Sequence, residues 1–444
     1  MKQCRIHFVK DEKTHLMTRQ MKLYSLERSM VVERKWFLDL FTLLFGIGAW
    51  ILVNSLYTQL PLLIQTTPEG WTLPSYISIL VQIGNLGPLT YSIWRTYFGN
   101  KYDRSLTVFI LIVGSVSMFL MAGFYKTTLT IFGEPHSVLL FLLTFGIAIV
   151  GCTSSVLFIP SLSRFPGIYL ITYMIGEGLS GLLPSFIAIV QGISLTSCTT
   201  IVENGHNVTT RSTTNANFSS KLFFVMIGFI MCASMVSYIC LEYLPICKKE
   251  KLKTITEAVE INEPIEDKKK SRIFLLFLQG TTAFFSNGLL ISFQSFSCLP
   301  YGIFAYHLAT NFSNIINPVA CFISLYTNRT SKNVLNILYI ICKISTICLL
   351  ITAFANPTPP LYNTTTGIVI IVFIWVLYFG CASYVKLSIA AILRNQGNKG
   401  LFYYGCITQI GSASGALIAF YIINIAKMLN TFDPCLNVSE VKDI

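Results

Sequence analysis

Charge is what this chain has least of. Asp, Glu, Lys and Arg make up 12% of its 444 residues and hydrophobic residues 53%, against a charged share near ~25% in globular domains. At a mean hydropathy of +0.63 the polar surface cannot cover a water-facing body, which excludes a row of soluble domains. Other absences narrow the chemistry. The thirteen cysteines form no Cys-x-x-Cys pair, so structural zinc and thioredoxin-type exchange have no support. Most lie inside apolar runs, where they serve as small buried hydrophobes. No His-Glu-x-x-His motif occurs and His307 is the only histidine inside an apolar run, which leaves a metal or a serine nucleophile without partners. No glycine-rich phosphate loop is present. The chain therefore reads as neither an enzyme nor the holder of a cofactor or metal. Nothing in it points to nucleic acid or to an obligate protein partner.

What is present is a series of apolar runs long enough to cross a hydrocarbon core of ~30 Å. The expectation is an all-α polytopic membrane protein with about eleven transmembrane helices, at 36–64, 74–98, 106–124, 137–160, 168–193, 222–245, 273–293, 298–325, 333–354, 367–393 and 400–426. They divide into a cytosolic tail (1–35), a six-helix bundle (36–245), a charged cytosolic linker (246–272), a five-helix bundle (273–426) and an extracellular tail (427–444). The 1–35 segment has no apolar stretch before Trp36 and is not a cleavable leader.

Sidedness follows from the basic residues. With the N-terminus in the cytosol, 25 of the 32 Lys and Arg fall inside, counting Arg95 at the inner end of its span, five outside and two, Lys343 and Lys386, deeper within spans, a strong positive-inside bias. The sequons at Asn207, Asn217, Asn363 and Asn437 all fall outside on this scheme, as glycosylation requires. The outer stretch 194–221 reads as a solvated, glycosylated loop. The 246–272 linker reads as solvated, or as a holder of anionic headgroups through its basic ends.

Several spans are interrupted by Gly, Pro and amides near mid-membrane, a transporter feature. Examples are Gln82 to Pro88, Gly176 to Pro184, and Asn317-Pro318. Close packing accounts for many such glycines, and for the Gly411/Gly415 pair above all. Glu177 stands near the middle of its span, and an ionisable group there costs ~2.5–3.5 kcal/mol. It either meets substrate or titrates during transport, or it is a protonated or paired structural carboxyl. Lys386 is a coupling candidate or snorkels to the inner end of its span; His307 is a proton relay or a buried hydrogen-bonded ring. The remaining polar inventory is uncharged, with Asn54, Gln59, Gln82, Asn85, Asn287, Gln294 and Asn317 beside Trp50 and Tyr301. Amides with aromatic faces suit a flat, neutral, polar ligand.

On ordered motifs the chain resembles the eukaryotic riboflavin transporter family, of solute carrier family 52 type. The matching stretches are Gly46-Ile-Gly-Ala-Trp50 with Asn54, Pro68-Glu-Gly-Trp71, and Gln82-x-x-Asn85-x-Gly-Pro88. Further along come Cys152-Thr-Ser-Ser155, Gly176-Glu-Gly-Leu-Ser-Gly-Leu-Leu-Pro184, Asn287-Gly288, Gln294, Ser297-Cys298-x-x-Tyr301-Gly302, Asn317-Pro318 and Ser383-Tyr-Val-Lys386. The resemblance implies a plasma-membrane carrier taking up riboflavin without sodium. It also implies an arrangement like the equilibrative nucleoside transporters, a variant of the major facilitator fold. Three departures stand out: Gln59 and Gly151 where the family has carboxylates, and an outer loop 355–366 without cysteine. Any bridge to Cys435 would then need Cys198 or Cys298. The expected ligand contacts are Trp50, Asn54, Gln59, Gln82, Asn85, Glu177, Asn287, Gln294, Tyr301 and Asn317, with Glu177, His307 and Lys386 as proton-coupling candidates. The rival readings are a carrier of another flat heterocycle such as a nucleoside, and a flavin-sensing receptor.

Overall fold

The computed structural model describes residues 35–431 except 100, 163–164, 194–195, 204–205, 214, 249, 251–268, 327–331 and 395–397. The N-terminal tail, most of the charged linker, Cys435 and Asn437 lie outside the described residues. The rest is a helical bundle. Its helices are α1 (Trp36–Ile47), α2 (Ile51–Leu63), α3 (Leu73–Ile83), α4 (Leu86–Phe98), α5 (Asp103–Phe124), α6 (Val138–Leu162), α7 (Gly167–Gln191) and α8 (Ser220–Tyr243). After the linker come α9 (Lys269–Ala283), α10 (Leu290–Cys298), α11 (Ile303–Tyr326), α12 (Lys332–Phe354), α13 (Thr365–Arg394) and α14 (Asn398–Phe420).

Among the described residues, eight helical stretches are long and apolar enough to cross a membrane, and nine if α1 and α2, bent by 52°, form one span. The two further expected spans are helical but are not among these stretches. One is split into α3 and α4, of 11 and 13 residues; the other, α11, carries His307, Asn311, Asn314 and Asn317 along its length. The expected end of the seventh span at 293 is corrected. Helix continues through a π-helical segment at Phe284–Leu289 into α10, and only the turn Leu299–Tyr301 with Gly302 at φ 100° ends it.

The breaks in the first two spans are built by their neighbours. At the α1–α2 bend, the Ser154 hydroxyl of α6 donates to the Ala49 carbonyl (3.1 Å) and Ser234 of α8 donates to the Phe45 carbonyl (3.4 Å). Carbonyls freed from a helix inside a membrane need such donors. At the α3–α4 break, a Cβ on Gly84 would meet Ala148 at 2.7 Å, and one on Gly87 would fall on Thr153, so only glycine lets this kinked span lie against α6. Likewise Gly46 and Gly176 seat α1 directly on the backbone of α7. Gly411 and Gly415 do the same for α14 on α9 and the π-segment, against Gly280 and Phe284. The packing role expected for that last pair is what the structure shows.

Two ends can be distinguished. At one, Lys35 Nζ meets Glu250 Oε1 at 2.6 Å and Arg104 Nε meets Glu242 Oε2 at 3.0 Å. Glu250 is only 1% exposed, so the first residues of the linker dock under the bundle rather than lying free in water. At the other end, Glu69 accepts from the Ser137 amide and hydroxyl, both at 2.8 Å, and the Asn356 amide donates to the Asn430 carbonyl. These are the Lys35 end and the Trp71 end below. Two antiparallel hairpins lie at the latter: β1 (Leu129–Ile131) with β2 (Glu134–His136), and β3 (Thr196–Glu203) with β4 (His206–Thr213). The second replaces much of the loop expected at 194–221. Its register pairs Glu203 with His206, leaving a two-residue connection whose sequence, Asn204-Gly205, is the commonest for such a hairpin.

Candidate functional site

The two sequence halves meet at the Trp71 end and at mid-bundle. Ser295 Oγ of α10 donates to the Trp71 carbonyl (2.8 Å), and Trp71 meets the Phe296 ring edge-on at 5.9 Å. Asn424 Nδ2 donates to Ser75 Oγ (2.7 Å), and Tyr76 meets Phe420 edge-on at 5.3 Å. Deeper in the bundle Asn314 Nδ2 donates to Thr58 Oγ1 (3.1 Å), and Gly178 lies against Pro318. The segments nearer the Lys35 end, α1, α4 and α9, make their main contacts within their own halves. Among the described residues the halves are therefore joined at one end and part toward the other.

Two polar clusters lie where they part. The first gathers Asn54, Thr58, Ser180 and Asn314 from α2, α7 and α11. Asn54 Nδ2 donates to Ser180 Oγ (3.1 Å), and Ser180 donates to the Glu177 carbonyl (2.6 Å). Glu177 is one turn further along α7, half-buried, and among the described residues its carboxylate has no hydrogen-bond or ion-pair partner. Trp50, half-buried, caps α2 one turn before Asn54, and its ring lies beside Gly151.

The second cluster crosses from one half to the other. Asn85 Nδ2 donates to Gln82 Oε1 (3.3 Å), and Gln82 Nε2 donates to the backbone carbonyl of Asn287 (3.4 Å). On the far side Lys386 Nζ donates to Asn287 Oδ1 (3.2 Å) and Ser286 Oγ (3.3 Å). Lys386 thus points into the bundle at α9–α10 rather than snorkelling. Its partners sit in the π-helical segment, a distortion that recurs at functional sites because it re-aims side chains. Lys343 converges on the same segment, its ammonium 4.3 Å from the Phe285 ring centroid and 4.8 Å from that of Tyr339, within cation–π range. No Asp or Glu occurs between Asp267 and Asp433, so this half supplies two mid-span ammonium groups and no carboxylate.

Four expected ligand contacts lie elsewhere. Gln59 is fully buried between α2 and α7, its Nε2 donating to Gln191 Oε1 (2.6 Å) while Gln191 Nε2 donates to the Phe218 carbonyl (3.1 Å). The Phe218 carbonyl fixes both amide orientations, because only an NH₂ can face it, and Gln59 Oε1 is left without a partner. Gln59→Leu is therefore expected to lower thermal stability by about 1 kcal/mol with unchanged substrate KM, checked by thermal unfolding beside uptake kinetics. Tyr301 donates to the Pro360 carbonyl (2.7 Å) at the Trp71 end. Gln294, 6% exposed, accepts from Thr310 (3.4 Å) inside its own half. Asn317 is exposed, next to the Pro318 that packs on Gly178. His307 is 4% exposed beside Asn311, the buried setting that one of its two readings expected.

Of the sequons, Asn363 is exposed in a turn at φ 57°, Asn207 lies on β4, and Asn217 is exposed with its Nδ2 donating to the Val190 carbonyl (2.8 Å). Cys298 is a buried free thiol. Sequence reasoning missed Ser286, Thr58, Ser180 and the Phe285–Lys343 contact; the adjacent polar pair Ser286-Asn287 in an apolar run was the available signal.

Solved structures share this architecture. The nucleoside transporter NupG aligns at a TM-score of 0.56 with 12% identity, covering 89% of this chain and 92% of that one. A D-xylose-proton symporter aligns at 0.51 with 12% identity over 87% of each; at such identities the likeness is one of fold. Sequence relatives are much nearer. Solute carrier family 52, riboflavin transporter, member 3-A of Danio rerio is 33% identical, over 88% of this chain and 96% of that one. Member 3 of Homo sapiens is 30% identical over 90% and 98%. The family model described as solute carrier family 52, riboflavin transporter, matches residues 34–272 and 254–431. With the ordered motifs now placed on an interrupted-helix transporter bundle, the chain belongs to the solute carrier family 52 riboflavin transporters.

Proposed function

We propose that this chain carries riboflavin into cells across the plasma membrane, without sodium, by alternating access. The observation that carries the reading is the family match along nearly the whole chain. The site adds chemical support: a flavin is a flat ring with a polar pyrimidine edge and a hydroxylated tail. Asn54, Thr58, Ser180 and Asn314 offer partners to hydroxyls; Gln82, Asn85, Asn287 and Lys386 offer partners to a ring edge. Trp50 offers a stacking face.

In this reading the N-terminus is cytosolic and the C-terminus extracellular. The Trp71 end is then the outside, and closure there with separation at the Lys35 end corresponds to an inward-facing state. The six-helix (36–245) and five-helix (273–426) bundles would rock about the contacts among α2, α7 and α11, with the 246–272 segment joining them. Eleven crossings follow if α3–α4 and α11 both span, their polarity reflecting faces turned to the substrate path rather than to lipid. The chain acts as a carrier rather than a catalyst.

Uptake of labelled riboflavin by cells expressing the chain, in sodium and in choline medium, tests the reading. Saturable uptake in both media, blocked by unlabelled riboflavin and not by nucleosides, is expected. Block by nucleosides would favour a different heterocycle. Bound but unmoved flavin would favour a sensor. Within this scheme Glu177→Gln at matched surface expression is expected to reduce uptake several-fold and to flatten its response between about pH 5.5 and 8, since it removes a titratable group in mid-span. Full uptake with an unaltered pH profile would remove Glu177 from the mechanism.

A further inference from the structure

The bonds joining Asn85, Gln82, Asn287 and Lys386 run from 3.2 to 3.4 Å, beyond the usual 2.9–3.0 Å of N–H···O bonds. All four side chains are half-buried, and the strip bridges the two halves near mid-bundle. Ser286 Oγ also donates to Asn287 Oδ1 at 3.0 Å, and the Ser286 hydroxyl can rotate away; the remaining long bonds between half-buried groups lose little when a ligand replaces them.

Its pattern is also determinate. Lys386 can only donate, so the atom of Asn287 facing it is the Oδ1 acceptor; the Gln82 NH₂, facing a backbone carbonyl, can only donate. Read in order, the strip presents donor, acceptor, donor. Behind it Lys343 sits against Phe285, and the surrounding half supplies no carboxylate between Asp267 and Asp433. The local field therefore favours carbonyl lone pairs and opposes a cationic edge.

We propose that Gln82, Asn287 and Lys386 read a cyclic imide, the acceptor–donor–acceptor edge (C=O, N–H, C=O) of a heteroaromatic ring. This rests on the flavin reading, since the pyrimidine ring of riboflavin presents such an edge through C2=O, N3–H and C4=O. It goes further by assigning selection to that edge, with the ribityl tail secondary. A site built to pair an N–H rejects the analogue in which a methyl replaces that hydrogen, because the pairing is lost and the methyl is pressed against the Asn287 oxygen.

The test is flavin fluorescence quenching on the purified full chain, comparing riboflavin, 3-methylriboflavin and lumichrome, which keeps the imide and lacks the tail. Methylation at N3 is expected to weaken binding at least about tenfold, with lumichrome held more tightly than 3-methylriboflavin. In Asn287→Leu and Lys386→Met, riboflavin should bind more weakly and the penalty for the methyl should shrink toward onefold. A merely structural role would not move that ratio. Gln82→Met supplies the same readout if Asn287→Leu fails to fold. Equal affinity for riboflavin and 3-methylriboflavin in the native chain would overturn the imide assignment and leave the flavin reading intact, as would a methyl penalty unchanged in every folded variant. No riboflavin binding at all would remove both.

Discussion

Gly415→Val is expected to abolish folded transporter. A Cβ at Gly415 would fall on the Phe284 carbonyl oxygen, with the Leu289 amide nitrogen at 3.1 Å, and one at Gly411 on the Gly280 carbonyl. The obstacle is backbone, which cannot swing aside as a side chain tip does, and α14 would have to lift off the π-segment. Overpacking of this kind costs about 3 kcal/mol or more, and even Gly415→Ala meets the same oxygen. Gly405, on the same helix, has nothing within 4 Å of a built Cβ, so Gly405→Ala should be neutral or gain up to ~1 kcal/mol. Thermal unfolding in detergent, followed by size-exclusion profile, separates the cases. A Gly415→Val protein that folds and melts like the native chain would mean α14 and the π-segment do not pack as described.

Joining the halves at the Trp71 end is expected to stop transport. Ser75 and Asn424 bond side chain to side chain at 2.7 Å, across the two halves and away from the proposed ligand groups. Bridging Ser75→Cys and Asn424→Cys with a short thiol cross-linker should lower riboflavin uptake more than tenfold if that end must open, and a reducible linker should restore it. Each single variant treated alike controls for the native thiols. A protease site engineered into 251–268 reports the bridge, since the cut halves then stay joined. Full uptake from a demonstrably bridged protein would refute a cycle that opens at this end.

The sequence was most legible where a residue's chemistry alone limits its surroundings. Gly411 and Gly415 at four-residue spacing pointed to close helix approach, and the break at Gly84-Asn85 falls in the Gln82 to Pro88 interruption visible in the chain, whereas the bend at Trp50 falls inside a stretch expected to be one span. It was least legible where the face of a helix decides. Gln59 and Gln82 look alike as amides in apolar runs, yet Gln59 turns into α7 to meet Gln191 while Gln82 turns toward the opposite half. Tyr301 has the chemistry of a stacking face and spends it on the Pro360 carbonyl. Lys386, two turns from a helix end, fits a snorkelling pattern; its partner Asn287 is 99 residues away and is aimed by a π-turn that no periodicity announces. The hairpin at 196–213 was missed for a different reason. Its Thr-rich strands resemble a solvated loop in composition, and the Asn204-Gly205 pair was not read as a hairpin signal.

The central claim is that the half-to-half interface holds and moves riboflavin. Counterflow in proteoliposomes tests it most directly: purified protein, unlabelled riboflavin inside, labelled riboflavin outside, no sodium on either side. A transient overshoot of label, lost in Lys386→Met and in liposomes without protein, is the predicted result. No exchange from vesicles that demonstrably contain folded protein would contradict it.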